Sequence, residues 1–349
     1  MAITSTSQVY PSGLPDNQNI EVLVTGGAGY IGSHAVRALS LAGYSVVVID
    51  NLSAGHLEAL TAAGDFKFYQ ADLQDKDAVD AVFKQHRFRG VFHFAGATLV
   101  GESVKDPEKY YGINVIGGLN LLSACKRTGV RHIVFSSTCA TYGVPNATPI
   151  AEDHPQVPIN PYGRTKLAVE QMLESYDRAH GITYLALRYF NAAGADPSGD
   201  LGEDHDPETH LIPNVCRVAL GQREHLRVNG NDYPTTDGTC IRDYIHVSDL
   251  ALAHVAGFEY LLKGGTSGGF NLGTGRGYSV LEVIKACEEA TGKKIKVEYG
   301  ERLEGDAPAL VAKAAKARDA FGFICMRSDL KTICSDAWRW HSKHPHGYK

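Results

Sequence analysis

The sequence predicts an α/β protein built around a doubly wound parallel sheet. Two observations support this prediction. Short β-branched and aliphatic runs alternate with helical segments through the first 190 residues, and continuous apolar strands of this kind are buried on both faces of a parallel sheet. A glycine-rich turn at residues 26–32 also follows the first run directly and opens a helix. We therefore expect strand and helix to alternate regularly along this half of the chain.

The boundaries of the expected elements follow from where the apolar runs stop. Six strands are expected, at residues 21–25, 45–50, 67–70, 91–95, 132–136 and 184–188. Helices are expected at residues 30–42, 77–86, 107–127 and 162–180. After Asn191 the elements become short and are broken by Gly and Pro, which indicates a smaller α/β domain attached to the main sheet.

The turn at 26–32 has the spacing Gly26-x-x-Gly29-x-x-Gly32. In a strand–turn–helix unit, the first glycine permits the turn, the second lets the backbone approach a pyrophosphate, and the third allows the helix to pack on the strand. The helix N-terminus then favours the phosphate charge. This context predicts a Rossmann-like dinucleotide site.

Asp50 ends the second strand. At that place a carboxylate can accept hydrogen bonds from the hydroxyls of the adenosine ribose, and it would repel a 2′-phosphate. No Arg adjoins it, because residues 51–53 are Asn-Leu-Ser. The expected cofactor is therefore NAD rather than NADP.

Tyr162 and Lys166 form a Tyr-x-x-x-Lys motif. Residues four positions apart share a helix face, so the two side chains should project together. A free tyrosine has a pKa of about 10 and is a poor base. The neighbouring ammonium and a positive nicotinamide ring are expected to lower that pKa. Thr138, at the end of the fifth strand, is expected to hold a substrate hydroxyl beside Tyr162, because ligands bind at this edge of open α/β sheets.

Longer segments match one family. They include residues 24–34 (Val-Thr-Gly-Gly-Ala-Gly-Tyr-Ile-Gly-Ser-His), 93–96 (His-Phe-Ala-Gly), 188–191 (Arg-Tyr-Phe-Asn), 242–247 (Arg-Asp-Tyr-Ile-His-Val) and the tail at 338–348. From about residue 21 to residue 348 the chain resembles the extended short-chain dehydrogenase/reductases and, among them, the UDP-glucose/UDP-galactose 4-epimerases.

The resemblance implies an enzyme that interconverts UDP-galactose and UDP-glucose through a 4-keto intermediate, with NAD tightly bound throughout. Tyr162 would remove the proton of the sugar 4-hydroxyl, Lys166 would hold the nicotinamide ribose, and Thr138 would take the place of the family's catalytic Ser/Thr. A homodimer formed through the helices at 107–127 and 162–180 is also implied.

The same resemblance implies two sets of binding residues. The NAD contacts are Gly26, Gly29, Tyr30, Ile31, Gly32, Asp50, Asn51, Asp72, Leu73, Phe94, Ala95, Gly96, Asn114, Tyr162, Lys166 and Phe190. The UDP-sugar contacts are Thr138, Asn191, His210, Leu211, Asn229, Arg242, Arg302, Asp306 and Leu310. Arg242 suits this role because a guanidinium can hold a pyrophosphate through two parallel hydrogen bonds.

Several positions depart from the family pattern. Asn229 stands where an aromatic residue often packs on uracil, Leu303 where a second phosphate-binding Arg is usual, and His210 where many members have Asn. Leu310 falls on the wall of the sugar pocket, where a bulky Tyr excludes N-acetyl sugars. Since Leu is smaller, UDP-GlcNAc and UDP-GalNAc are additional candidate substrates, and the residues leave the choice among UDP-sugars open.

Other functions remain open at this stage. A UDP-pentose (xylose or arabinose) 4-epimerase would share every motif. A nucleotide-sugar 4,6-dehydratase would need an acid and a base beside Thr138, where Cys139 and Ala140 stand. A non-catalytic NAD-sensing protein would not need Tyr162, Lys166 and Thr138 together.

Composition limits the partners. The net charge of −5 and the absence of a basic stripe argue against nucleic acid or an anionic membrane, and no apolar run approaches the roughly 20 residues of a membrane span. Seven cysteines without a Cys-x-x-Cys pair favour reduced thiols and a cytoplasmic protein. No metal site is expected, although His341, His344 and His346 have the spacing of ligands.

The expected organisation has three parts. Residues 1–19, rich in Ser, Thr, Pro and Asn, form a flexible extension. Residues 20–190 form the NAD-binding domain, to which later strands and helices return. Residues 191–349 mainly form the nucleotide-sugar-binding domain.

Overall fold

A computed structural model describes residues 20–303 and 305–348. The expected extension at 1–19 therefore lies outside the described residues. Within them, no helix has both the length and the apolar character needed to cross a membrane.

Seven parallel strands form the main sheet, in the order β10-β6-β5-β4-β1-β2-β3. Their bounds are β1 (Glu21–Thr25), β2 (Ser45–Asp50), β3 (Lys67–Gln70), β4 (Gly90–His93), β5 (His132–Thr138), β6 (Thr183–Tyr189) and β10 (Gly268–Leu272). The strand order reverses between β1 and β4, and ligands of such sheets bind at the carboxyl ends of the strands that flank this point. The predicted doubly wound sheet is confirmed, with β10 as an added edge strand.

Helices cover both faces of this sheet. Across the described residues the α-helices, including those that pack elsewhere, are α1 (Tyr30–Leu41), α2 (Leu57–Ala63), α3 (Lys76–Gln85), α4 (Val100–Lys105), α5 (Pro107–Tyr110), α6 (Gly117–Thr128), α7 (Pro161–His180), α8 (Leu211–Ala219), α9 (Val247–Leu262), α10 (Val280–Thr291), α11 (Ala315–Phe321) and α12 (Leu330–Lys343). Strand β1 shows why its apolar run is continuous: Val22 and Val24 belong to one core and Leu23 to the core on the other face. All three are fully buried.

Two small sheets carry the second half of the chain. Their strands are β7 (Asn191–Ala193), β8 (Leu226–Asn229), β9 (Ile241–His246), β11 (Gly277–Ser279), β12 (Val297–Gly300) and β13 (Ala309–Leu310). Strand β9 pairs with β7, β11 and β13, while β8 pairs with β12. Helices α8, α10 and α12 pack around a third core beside these strands.

The structure corrects two expected elements. The fourth strand ends at His93 rather than residue 95, because the N–H groups of Phe94 and Ala95 both donate to the Thr25 carbonyl, at 2.9 and 3.0 Å, and turn the chain. The expected helix at 107–127 is not continuous, since a π-helical turn at Tyr111–Ile116 separates α5 from α6. That wider turn contains Asn114, whose buried side chain bonds to neighbouring elements.

Candidate active site

The glycine turn after β1 is shaped by close backbone contacts. Gly26 has φ +72°, and a Cβ there would lie 2.4 Å from the Ala95 nitrogen. A Cβ on Gly32 would lie 2.0 Å from the Gly26 carbonyl oxygen. Gly29 is the N-cap of α1, and no side chain caps that helix. The first-turn amides of α1 therefore face the turn without a competing side-chain acceptor, which is the arrangement that binds a pyrophosphate.

Replacing Gly32 by Ala should weaken NAD binding at least tenfold, because the methyl group would displace the Gly26 carbonyl and reshape the turn. Isothermal titration or NAD retention after purification would measure the loss. Gly101→Ala is the matched control, since a Cβ at Gly101 meets nothing within 4 Å. Equal NAD affinity in the two variants would contradict the assignment of this turn to the pyrophosphate.

Asp50 lies at the end of β2, 8% exposed. Its two carboxylate oxygens accept hydrogen bonds from the backbone N–H groups of Ala28 (2.9 Å) and Leu52 (2.8 Å). Burial raises the pKa of this carboxyl group, and the two hydrogen bonds act in the opposite direction. Because each oxygen has a second lone pair, Asp50 can still accept from two ribose hydroxyls. Nearby, Asn51 donates to Asp72 at 2.9 Å.

Asn114 holds the loop after β4 against α7. Its carbonyl oxygen accepts from the Ala97 N–H at 2.8 Å, and its amide donates to the Ala97 carbonyl and to the Thr165 hydroxyl, at 3.1 and 2.9 Å. A Cβ on Gly96 would lie 2.9 Å from Asn114 Oδ1 and 3.3 Å from Lys166 Nζ. Asn114 therefore positions this loop through its side chain, and the loop lies beside the lysine.

The start of α7 orients Tyr162 and Lys166. Asn160 caps the helix by accepting from the Gly163 N–H at 2.8 Å, with Pro161 as the first helical residue. Lys166 is 2% exposed and donates to the Ser136 carbonyl at 3.0 Å. Tyr162 is half-buried, and its hydroxyl lies close enough to Thr138 for that side chain to act on its pKa. The three expected catalytic side chains thus meet at the carboxyl end of β5.

The protein's own groups raise the pKa of Tyr162. Burial raises it to about 12, while the hydrogen bond from Thr138 acts in the opposite direction. Burial also lowers the pKa of the Lys166 ammonium to about 8. The predicted lowering of this pKa combines the Lys166 ammonium with a bound nicotinamide ring and stays a prediction, whereas in the protein without its cofactor the loss of hydration raises the pKa. A second source of positive charge is needed for a phenolate.

A buried ion pair behind this site was not anticipated. Glu170 follows Lys166 by one helical turn and forms a bidentate pair with Arg188 of β6, at 2.7 and 3.1 Å. The Ser137 hydroxyl donates to the same carboxylate at 2.5 Å, and Arg188 donates to the Tyr142 hydroxyl at 2.8 Å. The i, i+4 spacing of Lys166 and Glu170 was the available signal. The pair fixes α7 to the strand ends.

The residues expected to bind the nucleotide form a connected group. Arg242, 9% exposed, contacts Asp306 and donates to the Ile241 carbonyl at 2.7 Å. The Tyr233 hydroxyl donates to Asp306 at 3.2 Å. Arg302 lies over the Tyr233 ring, 4.4 Å from its centroid. Arg302 also pairs with Asp232 at 2.6 Å, so its guanidinium is engaged by the loop that follows β8.

The remaining expected substrate residues fall into two places. Asn191 lies on β7 beside Tyr244, and Leu310 lies on β13 beside Arg242. Leu310 also packs against a small core that contains Phe190. The residue expected to line the sugar pocket therefore lies near the residue expected to contact the nicotinamide. Asn229 ends β8 and pairs in register with Gly300.

His210 has different partners. It is the N-cap residue of α8, without a side-chain cap hydrogen bond, and its ring contacts Glu203, whose carboxylate raises the pKa of the imidazole. With Nδ1 engaged at Glu203, the Nε2–H could donate to a phosphate oxygen, as the Asn of other members would with its amide. Glu203 itself was not anticipated from the sequence, because it lies seven residues away in a Gly- and Asp-rich loop.

These residues fit NAD. In the turn at 26–32, called the glycine cradle below, a Cβ on Gly26 or Gly32 would clash with backbone, and α1 begins without a side-chain cap. Asp50 keeps free acceptor capacity, and in the part of the chain that the structure describes no Lys or Arg is bonded to it. Lys166 lies next to the loop of Gly96 and bonds to the Ser136 carbonyl near the end of β5.

Comparisons with known proteins agree with this geometry. Residues 22–273 match the family described as the NAD dependent epimerase/dehydratase family. The chain is 53% identical to the UDP-glucose 4-epimerase of Halalkalibacterium halodurans over 94% of its length and 97% of that protein. It superposes on a UDP-glucose 4-epimerase from Brucella ovis in complex with NAD, with TM-score 0.88, 50% identity and coverage of 91% and 97%.

A structure from Bifidobacterium longum, a UDP-glucose 4-epimerase in complex with NAD+ and UDP, superposes with TM-score 0.89 at 41% identity, covering 94% of this chain and 99% of the other. Such identity over nearly whole chains is evidence of common descent and not merely of a shared fold. The chain therefore belongs to the NAD dependent epimerase/dehydratase family and, within it, to the UDP-glucose 4-epimerases.

Proposed function

We propose that this protein interconverts UDP-galactose and UDP-glucose by inverting the configuration at C4, with NAD bound through the whole cycle. The observation that carries the proposal is the meeting of Thr138, Tyr162 and Lys166 at the end of β5, next to the glycine cradle. A binding protein for NAD alone would need the cradle but not these three side chains.

Tyr162 acts on the sugar 4-hydroxyl as base and, on the return, as acid. Thr138 holds the same sugar hydroxyl through its own side-chain hydroxyl, which faces Tyr162. NAD, when bound, would supply the hydride acceptor and donor at C4, and its positive ring would favour the Tyr162 phenolate against the burial that raises the pKa of Tyr162. Lys166 stays fixed by the Ser136 carbonyl and adds its own charge on the same side.

Arg242 is the main anchor proposed for the UDP diphosphate. Arg242 is buried and already paired with the Asp306 carboxylate. A bound diphosphate would either replace that carboxylate at the guanidinium or bind beside it. His210 supplies a further hydrogen-bond donor, its Nε2–H, since its Nδ1 is engaged at Glu203. Arg302 is tied to Asp232 and Tyr233, which favours a role in shaping the uridine side of the site over direct phosphate binding.

Incubating the purified protein with UDP-galactose, without added NAD, tests the proposal. UDP-glucose should form even so, because the cofactor stays bound to the protein. A coupled assay that detects UDP-glucose would follow its formation. UDP-arabinose serves as a parallel substrate, and turnover of the pentose alone would assign the chain to UDP-pentoses. Absence of turnover with every sugar, even with NAD supplied, would overturn the proposed activity.

Leu310 is proposed to leave room for an N-acetyl group at C2 of the sugar. Leu310→Tyr should lower kcat/KM for UDP-GalNAc relative to UDP-galactose by about 10- to 200-fold, the range for steric discrimination of small groups. Leu310→Met, which nearly conserves volume, is the control and should leave the ratio within about threefold. An unchanged ratio in Leu310→Tyr would remove Leu310 from the wall of the sugar pocket.

A homodimer is also proposed. The support is an exposed apolar surface on the segment from α4 to α6, adjoining α7. Its residues are Val100, Val104, Tyr111, Ile116 and Leu119, each between 43% and 63% exposed. Contiguous apolar surface of this kind marks association sites. Light scattering should give twice the mass of the chain, and the mass of a single chain at micromolar concentration would contradict the proposal.

The expected division of the chain and its compartment remain proposals as well. We propose that residues 20–190 hold NAD, with β10 and α9 returning to that sheet, and that residues 191–349 mainly hold the nucleotide sugar. The seven cysteines, none of them in a disulfide, support a reducing cytoplasmic compartment.

A further inference from the structure

A compact cluster of charged side chains lies in the loop that leads into α8. Its members are Glu203, His205, Glu208 and His210, and one ligand atom from each lies within 4.8 Å of every other. The two carboxylates are 3% and 5% exposed. Two acidic groups this deeply buried and this close to each other repel, so the cluster is stable only with compensating positive charge, carried either by protonated His205 and His210 or by a bound cation.

The distances within the cluster suit a small cation. His205 Nδ1 lies 3.1 Å from Glu203 Oε1 and 4.0 Å from Glu208 Oε2. His210 Nδ1 contacts the same Glu203 oxygen. Metal–ligand bonds of about 2.1 Å in a tetrahedron place the ligand atoms about 3.4 Å apart. The His210–Glu203 pair would have to separate and the more distant atoms, which lie up to 4.8 Å apart, would have to approach for the four to reach that spacing.

One carboxylate oxygen of the cluster lacks a hydrogen-bond partner. Glu208 Oε1 accepts from the His210 backbone N–H at 2.8 Å, but Glu208 Oε2 is buried and unpartnered among the described residues. A buried carboxylate oxygen without a partner costs free energy, and each such group calls for an explanation. This oxygen points into the cluster, at 4.0 Å from His205 Nδ1.

We propose that Glu203, His205, Glu208 and His210 form a binding site for a divalent transition metal ion of the zinc class. Two imidazole nitrogens and two carboxylate oxygens match zinc, cobalt or nickel, whereas magnesium and calcium prefer oxygen ligands alone. The ion would satisfy Glu208 Oε2 and neutralise both carboxylates. His210 takes part through Nδ1, which leaves its Nε2 for another partner.

The surroundings show what such an ion would hold together. Trp340 of α12 donates to the Glu203 carbonyl at 3.0 Å, and Arg217 of α8 donates to the His205 carbonyl at 3.2 Å. The His205 ring packs edge-on against Tyr30, with centroids 6.1 Å apart. Tyr30 is the first residue of α1, directly behind the glycine cradle. The ion would therefore brace the start of α1 against the second half of the chain.

Titrating the chelator-treated full chain with Co²⁺, without nucleotide, tests the site. Tetrahedral Co²⁺ absorbs visible light, so we expect one equivalent to produce a visible spectrum without a thiolate charge-transfer band, and Zn²⁺ to displace it. Glu208→Gln and His205→Asn should each raise the Kd at least about tenfold, since even the loss of an outer-shell partner of a metal site costs that much. His346→Asn, in the histidine-containing tail, is the matched control and should leave the Kd unchanged.

Three results would overturn the site. They are the absence of Co²⁺ binding to the wild-type chain, equal affinity in wild type and both cluster variants, and loss of binding in His346→Asn alone. Circular dichroism of each variant shows whether it is folded, and the two cluster variants provide independent tests if one is not. Because the measurement uses no UDP-sugar, its outcome does not depend on the proposed epimerase activity.

Discussion

Replacing Tyr162 by Phe should lower kcat for UDP-galactose by about 10²- to 10⁴-fold, the usual loss when a positioned acid–base group is removed. The change deletes only the hydroxyl that Thr138 contacts. Since Phe keeps the ring, NAD binding and thermal stability should change little. Initial rates, measured with equal amounts of bound NAD in both proteins, provide the test.

Tyr176→Phe is the matched control for this variant. Tyr176 lies on the same helix, and its hydroxyl makes one weak contact with Ser123 at 3.4 Å. The control should retain kcat within about threefold, because surface and rim hydroxyls contribute little to stability. A Tyr162→Phe enzyme within tenfold of the wild-type rate would remove Tyr162 from the catalytic role, whatever happened to the control.

Replacing Arg188 by Met should lower the free energy of unfolding by about 3–5 kcal/mol, the cost of removing one partner of a buried ion pair. The side chains of Arg188 and Glu170 are 8% and 7% exposed. Without the guanidinium, the Glu170 carboxylate would stay buried with only Ser137 and Gln156 as polar partners. Chemical denaturation followed by circular dichroism measures the change.

Arg178→Met is the control for this effect. Arg178 pairs with Glu174 on the outer face of α7, where both side chains are 49–79% exposed. Exposed pairs contribute about 0.2–1 kcal/mol, so this variant should stay close to wild type. The double variant Glu170→Leu/Arg188→Met should recover much of the loss, because it leaves no unpaired charge. Equal stability of Arg188→Met and Arg178→Met would contradict the importance of burial.

Much of the NAD site could be predicted from local sequence. The glycine spacing, the apolar strand before it and Asp50 at the next strand end all report on backbone conformation and burial over a few residues. The pairing of Tyr162 with Lys166 could also be predicted, because residues four positions apart lie on one helix face. Asn160 and Pro161 determine where that helix starts. The structure places all of these at one edge of the sheet.

Partners distant in sequence could not be predicted in the same way. Arg242 pairs with Asp306 across 64 positions, and β10 joins the sheet beside β6 some 80 residues later. The sequence predicts an ordinary helix through the π-helical turn around Asn114, because the hydrophobic pattern continues through that turn. Only the contacts of Asn114 with Ala97 and Thr165 show why the turn widens there.

The sequence by itself determined the fold class, the cofactor site and the identity of the Tyr–Lys pair, because periodicity and spacing encode which backbone segments are buried and how they turn. The tertiary structure decided which charges meet and how strongly they are desolvated. It raised the pKa of Tyr162 through desolvation in the protein without its cofactor, paired Arg188 with Glu170, and gathered Glu203 and Glu208 around two histidines. Desolvation depends on everything that packs around a group, and that is set only when the whole chain has folded.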